Sequence, residues 1–240
     1  MDGRCAGSIA LVTDCLIIAV DGPAGSGKSS AARGVARRLG LRYLDTGAMY
    51  RALTWWMLQR GVPVASREAV AGLAGQPEIA VSTDPEHPSI TIDGTDVTGP
   101  IRTRQVSNAV SAVASVPEVR TRLVAMQQEV IAQTCAAGSG IVAEGRDIGT
   151  VVAPQAAVKV YLTASETARA QRRSADLAVD PAATPVVTQA EQQRRDQADS
   201  AQMVMAADAV QIDSTALDLD EVVSAIVDLA RQQAGAAWSR

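Results

Sequence analysis

The chain reads as an α/β protein built on a five-stranded parallel sheet, for two reasons. Five short apolar runs, Leu16–Val20, Arg42–Leu44, Ile141–Ala143, Val158–Leu162 and Ala209–Ile212, alternate with helical stretches. Strands buried on both faces by crossover helices read this way. In addition, the first run enters a glycine-rich turn that opens directly into a helix, the kind of junction where a helix N-terminus meets an anion.

Taken in order, Met1–Asp14 reads as an extension ahead of the first strand. Asp14 interrupts the apolar stretch Ile9–Val20, so no transmembrane helix is expected. Ser29–Leu39, rich in Ala and Arg and stopped by Gly40, is predicted to be a helix. Between the second and third runs lie roughly a hundred residues, far beyond an ordinary crossover, so an inserted lobe is expected. Within it Ile79–Val81 and Ser89–Asp93 alternate apolar and polar residues like a small antiparallel unit, and helices are expected near Arg102–Val113 and Pro117–Cys135. Three Ser/Thr-x-x-Glu boxes, at Ser115–Glu118, Thr163–Glu166 and Thr188–Glu191, are read as helix starts. The polar, Pro-containing stretch Ser174–Val187 is read as a lid. The last helix carries Leu219, Val222, Val223, Ile226, Val227 and Ala230 on one core-facing stripe. The resulting division is an extension (1–14), core (15–60), lobe (61–138), core (139–173), lid and return helix (174–202) and core (203–240).

Composition narrows the function. A net charge of −4 supplies no field for nucleic acid or an anionic membrane, so any anion site must be local. With 2% aromatics the core must be aliphatic, and base-stacking platforms are disfavoured. Cys5, Cys15 and Cys135 have neither disulfide-framework nor metal spacing, which points to a reducing cytoplasm. The single histidine, His87, sits in a polar loop and is read as a bystander.

Gly22-Pro23-Ala24-Gly25-Ser26-Gly27-Lys28-Ser29 is a complete G-x-x-x-x-G-K-[ST] string between a strand and a helix. Its glycines allow backbone N–H groups to wrap a phosphate, and the helix N-terminus adds partial positive charge. This P-loop predicts ATP binding by Gly22 to Ser29 and the adjacent Ser30. Lys28 is placed on the β- and γ-phosphates and the Ser29 hydroxyl on Mg²⁺. The acid that completes the metal site is expected at the end of a neighbouring strand. Glu144 is the first candidate, acting directly or through a water, and Asp45 is another. A guanine-reading N-K-x-D string is absent, against a GTPase switch, and nothing suggests a motor ATPase. A small-molecule kinase needs an acceptor lobe and several arginines, and the chain has both.

Three further stretches carry a more specific signal: Tyr43-Leu44-Asp45-Thr46-Gly47-Ala48-Met49-Tyr50-Arg51, Ile101-Arg102 through Ser111 to Val119-Arg120, and Glu144-Gly145-Arg146-Asp147-Ile148-Gly149-Thr150-Val151-Val152. With the P-loop, in this order, they resemble the bacterial cytidylate kinases over about Leu16 to Ala230. The resemblance implies a three-layer P-loop NTPase fold with sheet order 2-3-1-4-5, a monophosphate-binding lobe and a short lid. It also implies ATP-dependent phosphorylation of CMP and dCMP, with Mg²⁺, by a monomer that binds neither nucleic acid nor membrane. Other small-molecule P-loop kinases, of UMP/AMP or shikimate type, are the alternative. Carried across, Arg51 and Arg146 would hold the acceptor phosphate beside Thr46 and Tyr50. Ser111, Arg120 and Asp147 would read cytosine, Arg195 and Asp199 would reach ribose and phosphates, and Arg172 and Arg173 would face ATP. Lys28, Arg51, Arg146 and Arg195 would be the catalytic cations. The pattern departs at Gln202, where the family carries an arginine, and the segment after it is a few residues short.

Overall fold

The computed structural model describes residues 15–176, 185–200 and 202–234. Its centre is β1 (Ile17–Asp21), followed by the phosphate loop, α1 (Lys28–Leu39), β2 (Arg42–Asp45) and α2 (Thr46–Gln59). The inserted lobe holds α3 (Arg67–Leu73), β3 (Ile79–Val81), β4 (Ile90–Ile92), β5 (Thr95–Asp96), α4 (Arg104–Ala114) and α5 (Pro117–Ala136). The core resumes with β6 (Ile141–Glu144), a π-helical turn Ile148–Val152, β7 (Val158–Thr163) and α6 (Glu166–Asp176), then α7 (Pro185–Asp199), β8 (Val210–Asp213) and α8 (Leu219–Ala234).

Five strands pair in parallel in the order β2-β6-β1-β7-β8. Counted within this sheet alone, that is 2-3-1-4-5. Alternation along the strands divides the core into two layers. Ile17 and Ala19 of β1, Leu44 of β2 and Ile141 and Ala143 of β6 face α2, α5 and the lobe. Ile18, Val20, Tyr43 and Val142 face α1 and α8, packing on Ala32, Val35, Val223 and Ile226. The lobe shares the first layer: Leu53 and Met57 of α2 pack with Val70, Ile90, Ile92, Val113 and Leu123. Its antiparallel sheet, β3-β4-β5, turns at Asp93-Gly94, both at positive φ (47° and 74°), as a tight hairpin turn requires.

Several expectations need correction. Ser115 does not start a helix; it ends α4, and α5 begins after Val116 with Pro117 supplying the preset φ. Thr163 is still in β7, and Ser165 makes the capping bond, accepting from Ala168 N at 3.3 Å. Thr188 lies inside α7 (Pro185–Asp199) and not at a helix start. In the terminal stripe Leu219 is half exposed while Val222, Val223, Ile226, Val227 and Ala230 are buried. Cys15 and Cys135 form a disulfide across a sequence separation of 120, with Cα atoms 5.3 Å apart. That pairing removes the cysteine-based reason for expecting a reducing compartment. Met1–Asp14, with Cys5, and residues 177–184 of the expected lid lie outside the described residues. Among the described residues no helix is long and apolar enough to cross a membrane.

Candidate active site

A cleft of about 650 Å³ opens at the C-terminal edge of the sheet, lined by the phosphate loop, α2, α4, α5, the loop after β6, α7 and the start of α8. The cradle at the phosphate-loop end is built from one continuous segment. Gly22, at φ 144°, passes so close to β7 that a Cβ there would lie 2.1 Å from Leu162 O, so only glycine fits. Gly25 and Gly27 also take positive φ, and Gly27 forms the left-handed N-cap of α1. Lys28 is buried and folds back to donate from Nζ to Pro23 O at 2.7 Å. Burial and the nearby Arg146 guanidinium push its ammonium well below the ordinary lysine value, opposed by Glu144 and Asp21. A bound polyanion would reverse that balance.

Arg172 binds Ser214 through Nη1 to Oγ at 2.9 Å and Nη2 to O at 2.6 Å, and Ser214 Oγ donates to Ser26 O at 3.1 Å. The guanidinium therefore lines the phosphate-loop end of the cleft while tying the loop after β8 to the phosphate loop. The side chain of Arg173 lies outside the described residues. Ser214, Leu217, Asp218, Leu219 and Val222 complete this wall. Sequence reasoning missed them as site residues, reading Leu219 and Val222 only as core; the partial exposure of Leu219 is explained by its place in the cleft.

The metal candidates fit a hard cation. The buried Glu144 carboxylate lies against the Ser29 hydroxyl, accepts from Tyr43 Oη at 3.1 Å, and is pushed up by burial and by Asp45. A serine hydroxyl and one carboxylate beside a phosphate cradle suit Mg²⁺, which keeps waters and takes its other ligands from phosphates. Asp45 is committed elsewhere: Oδ1 caps α2 by accepting from Ala48 N at 2.8 Å, and Oδ2 pairs with Arg102 at 2.7 Å. Among the described residues no group of three or more acidic, His or Cys side chains could cage a metal.

The other end of the cleft gathers separate segments. Thr46 Oγ1 donates to Glu144 O at 2.7 Å, joining α2 to β6. Arg51 reaches Ser107 Oγ at 2.9 Å and Ile101 O at 3.3 Å, so it ties α2 to the lobe as well as lining the cleft. Arg120 of α5 pairs with Asp147, and burial lifts the neighbouring Tyr50 to about 12, leaving its hydroxyl a neutral donor. The Ser111 hydroxyl is shielded from solvent and makes no hydrogen bond among the described residues. Arg146 Nε meets Asp199 Oδ2 at 3.4 Å, and Arg195 and Gln202 line the same cleft.

Helix α7 spans both ends, which sequence reasoning also missed. Asp196 accepts from Ala24 N at 3.3 Å and pairs with Arg169, whose Nη1 donates to Ala24 O at 3.1 Å. Glu191, on another face, pairs with Arg104 of α4 at 2.7 Å. The i,i+4 spacings Gln192–Asp196 and Arg195–Asp199 signal two adjacent helix faces that could have been read from the sequence.

Residues 18–232 match the family model described as cytidylate kinase. The chain belongs to the cytidylate kinase family. It is accordingly a nucleoside monophosphate kinase. It is 48% identical to the cytidylate kinase of Streptomyces avermitilis over 92% of this chain and 95% of that one. It is 50% identical to the cytidylate kinase of Streptomyces griseus over 89% and 92%, and 44% identical to that of Mycobacterium leprae over 93% and 99%.

Proposed function

We propose that this enzyme transfers the γ-phosphate of ATP to CMP, and to dCMP, as a monomer. The observation that carries the cytosine assignment is the trio Arg120, Asp147 and Ser111, facing the same cleft as the phosphate loop. The Asp147 carboxylate suits the exocyclic amino donor of cytosine, while Arg120 and Ser111 suit its ring nitrogen and carbonyl acceptors. Uracil presents the opposite pattern at the corresponding ring positions. The shielded Ser111 hydroxyl gains a partner when such a base binds.

An acceptor phosphate is already a competent oxygen nucleophile near neutral pH, so no dedicated base is needed and the work is positioning and charge neutralisation. In this reading Lys28 holds the transferring phosphate, Arg51, Arg146 and Arg195 hold the acceptor, and Asp199 contacts ribose. Arg172 braces the donor wall. Mg²⁺, when bound by Ser29 with Glu144 directly or through water, would neutralise charge on the donor phosphates. Contacts of α7 to both Ala24 and Arg104 support a closed site that excludes water. A coupled ADP-release assay on CMP, dCMP, UMP, AMP, GMP and shikimate, with and without Mg²⁺, tests the proposal. Preference for CMP and dCMP, lost without Mg²⁺, is expected, and dominant turnover of AMP or UMP overturns the cytosine assignment.

A further inference from the structure

Asp21 is a buried carboxylate, 6% exposed, to which the transfer chemistry above gives no part. It ends β1 and directly precedes Gly22 of the phosphate loop. Its two oxygens accept from consecutive backbone amides, Oδ1 from Ile148 N and Oδ2 from Gly149 N, each at 2.8 Å. One residue earlier, Val20 O accepts from Gly145 N at 3.0 Å. The segment after β6 is thus pinned on both sides to two consecutive residues of β1. Between those pins stand only Arg146 and Asp147.

The side-chain chemistry is specific. An ionised carboxylate offers two acceptor oxygens and no donor, so it satisfies two adjacent amides at once. The isosteric asparagine must turn its N–H₂ toward one of them, leaving a buried amide unpaired against another donor. The pinned residues lead onward to the cleft, since Asp147 holds Arg120 and Arg146 meets Asp199. A sub-ångström shift of this segment would move both side chains relative to the phosphate loop, and transfer rates are steep in such misplacement.

We propose that Asp21 is a positioning residue, whose carboxylate sets Arg146 and Asp147 against the phosphate loop and so couples the acceptor site to the donor site. The inference rests on the acceptor roles proposed above for Arg146 and Asp147. The test is Asp21→Asn in the full chain, with KM for CMP, KM for ATP, kcat and the CMP-to-UMP ratio of kcat/KM measured beside the wild type. Loss of a hydrogen bond to a charged group predicts a roughly ten- to hundredfold fall in kcat/KM for CMP, a KM for ATP within about twofold of wild type, and a reduced CMP-to-UMP ratio. A folded variant with wild-type kinetics, or with both KM values raised in proportion, overturns the proposal. If Asp21→Asn does not fold, hydrogen exchange of the wild-type Ile148 and Gly149 amides decides. Protection comparable to that of β1 supports the strut, and exchange at the rate of an open loop overturns it. Should the wild type prefer another acceptor, the cytosine assignment fails on that result alone, and the same KM split measured with the preferred acceptor still tests Asp21.

Discussion

The two ends of the cleft are assembled differently. At the phosphate-loop end the cradle itself is one stretch of chain, Gly22 to Ser29, in which backbone geometry does most of the work, Lys28 is the one cation of the stretch, and Arg172 and Ser214 brace it from outside. The opposite end, proposed above to take the acceptor, draws on α2, α4, α5, the loop after β6 and α7, and is held by side-chain pairs such as Arg120–Asp147 and Arg146–Asp199. Local sequence therefore specifies the cradle almost completely. The opposite end exists only when the lobe and α7 are docked, so its integrity and its specificity are both tertiary properties.

Removing the cation of the phosphate loop is the most severe way to test this contrast. Lys28→Ala is expected to keep its fold and lose at least about a hundredfold in kcat, since one preorganised charge on a transferring phosphate is worth roughly 2.7–4 kcal/mol. Steady-state kinetics beside a thermal melt checks it, and near-normal turnover would remove the phosphate loop from catalysis.

At the acceptor end, Arg146→Met is expected to lower kcat/KM for CMP roughly ten- to hundredfold, the range for losing a charged hydrogen bond of about 1.5–3 kcal/mol. KM for ATP should change little. Arg51→Met should behave differently, because Arg51 also bonds Ser107 and Ile101 across the α2–lobe junction. Its kinetic defect should come with a lowered melting temperature. If the two variants proved indistinguishable in stability, Arg51 would be a ligand only, with no part in docking the lobe.

Specificity offers a finer probe of the same end. Asp147→Asn should narrow the CMP-to-UMP gap by about tenfold or more, because an amide can turn its N–H₂ toward the uracil 4-oxygen. Rates on both substrates, measured for wild type and variant, decide it. An unchanged ratio would detach Asp147 from base reading and leave it as the partner of Arg120.

What could be read from the sequence follows the same divide. The five core strands lie within a residue or so of their apolar runs, because a short apolar run is a local signal, although the edge strand β8 is largely exposed rather than buried on both faces. The capping boxes misled because Ser/Thr-x-x-Glu is a chemistry that the chain also uses elsewhere. Ser115 finishes α4 and donates to Ala112 O, while Thr188 sits inside α7. Asp21 and Asp196 were passed over because nothing local reveals what a carboxylate meets. The partner of Asp21 is 127 residues away, and Asp196 reaches across 172 residues to Ala24. Cys15 and Cys135 were missed for the same reason, since pairing depends on Cα proximity that sequence spacing does not report.

The smallest expected effect concerns Gln202, the position at which the family resemblance leads one to expect arginine. Its backbone N–H donates to Asp199 O at 2.9 Å, and the residue lines the cleft together with Arg195 and Asp199. Position 202 therefore faces the cleft, with its backbone held by the end of α7. An arginine there can replace a neutral hydrogen bond with a charge-assisted one, a difference of about 1 kcal/mol, or roughly fivefold in affinity. Part of that gain is offset by repulsion from Arg146 and Arg195, which the nearby Asp199 carboxylate moderates. Gln202→Arg is accordingly expected to lower Kd for CMP by about two- to fivefold, with little change in Kd for ATP, measured by isothermal titration calorimetry. Equal tightening of both nucleotides would mean a diffuse field effect rather than a contact. No change in either would mean that the longer side chain turns away from the acceptor.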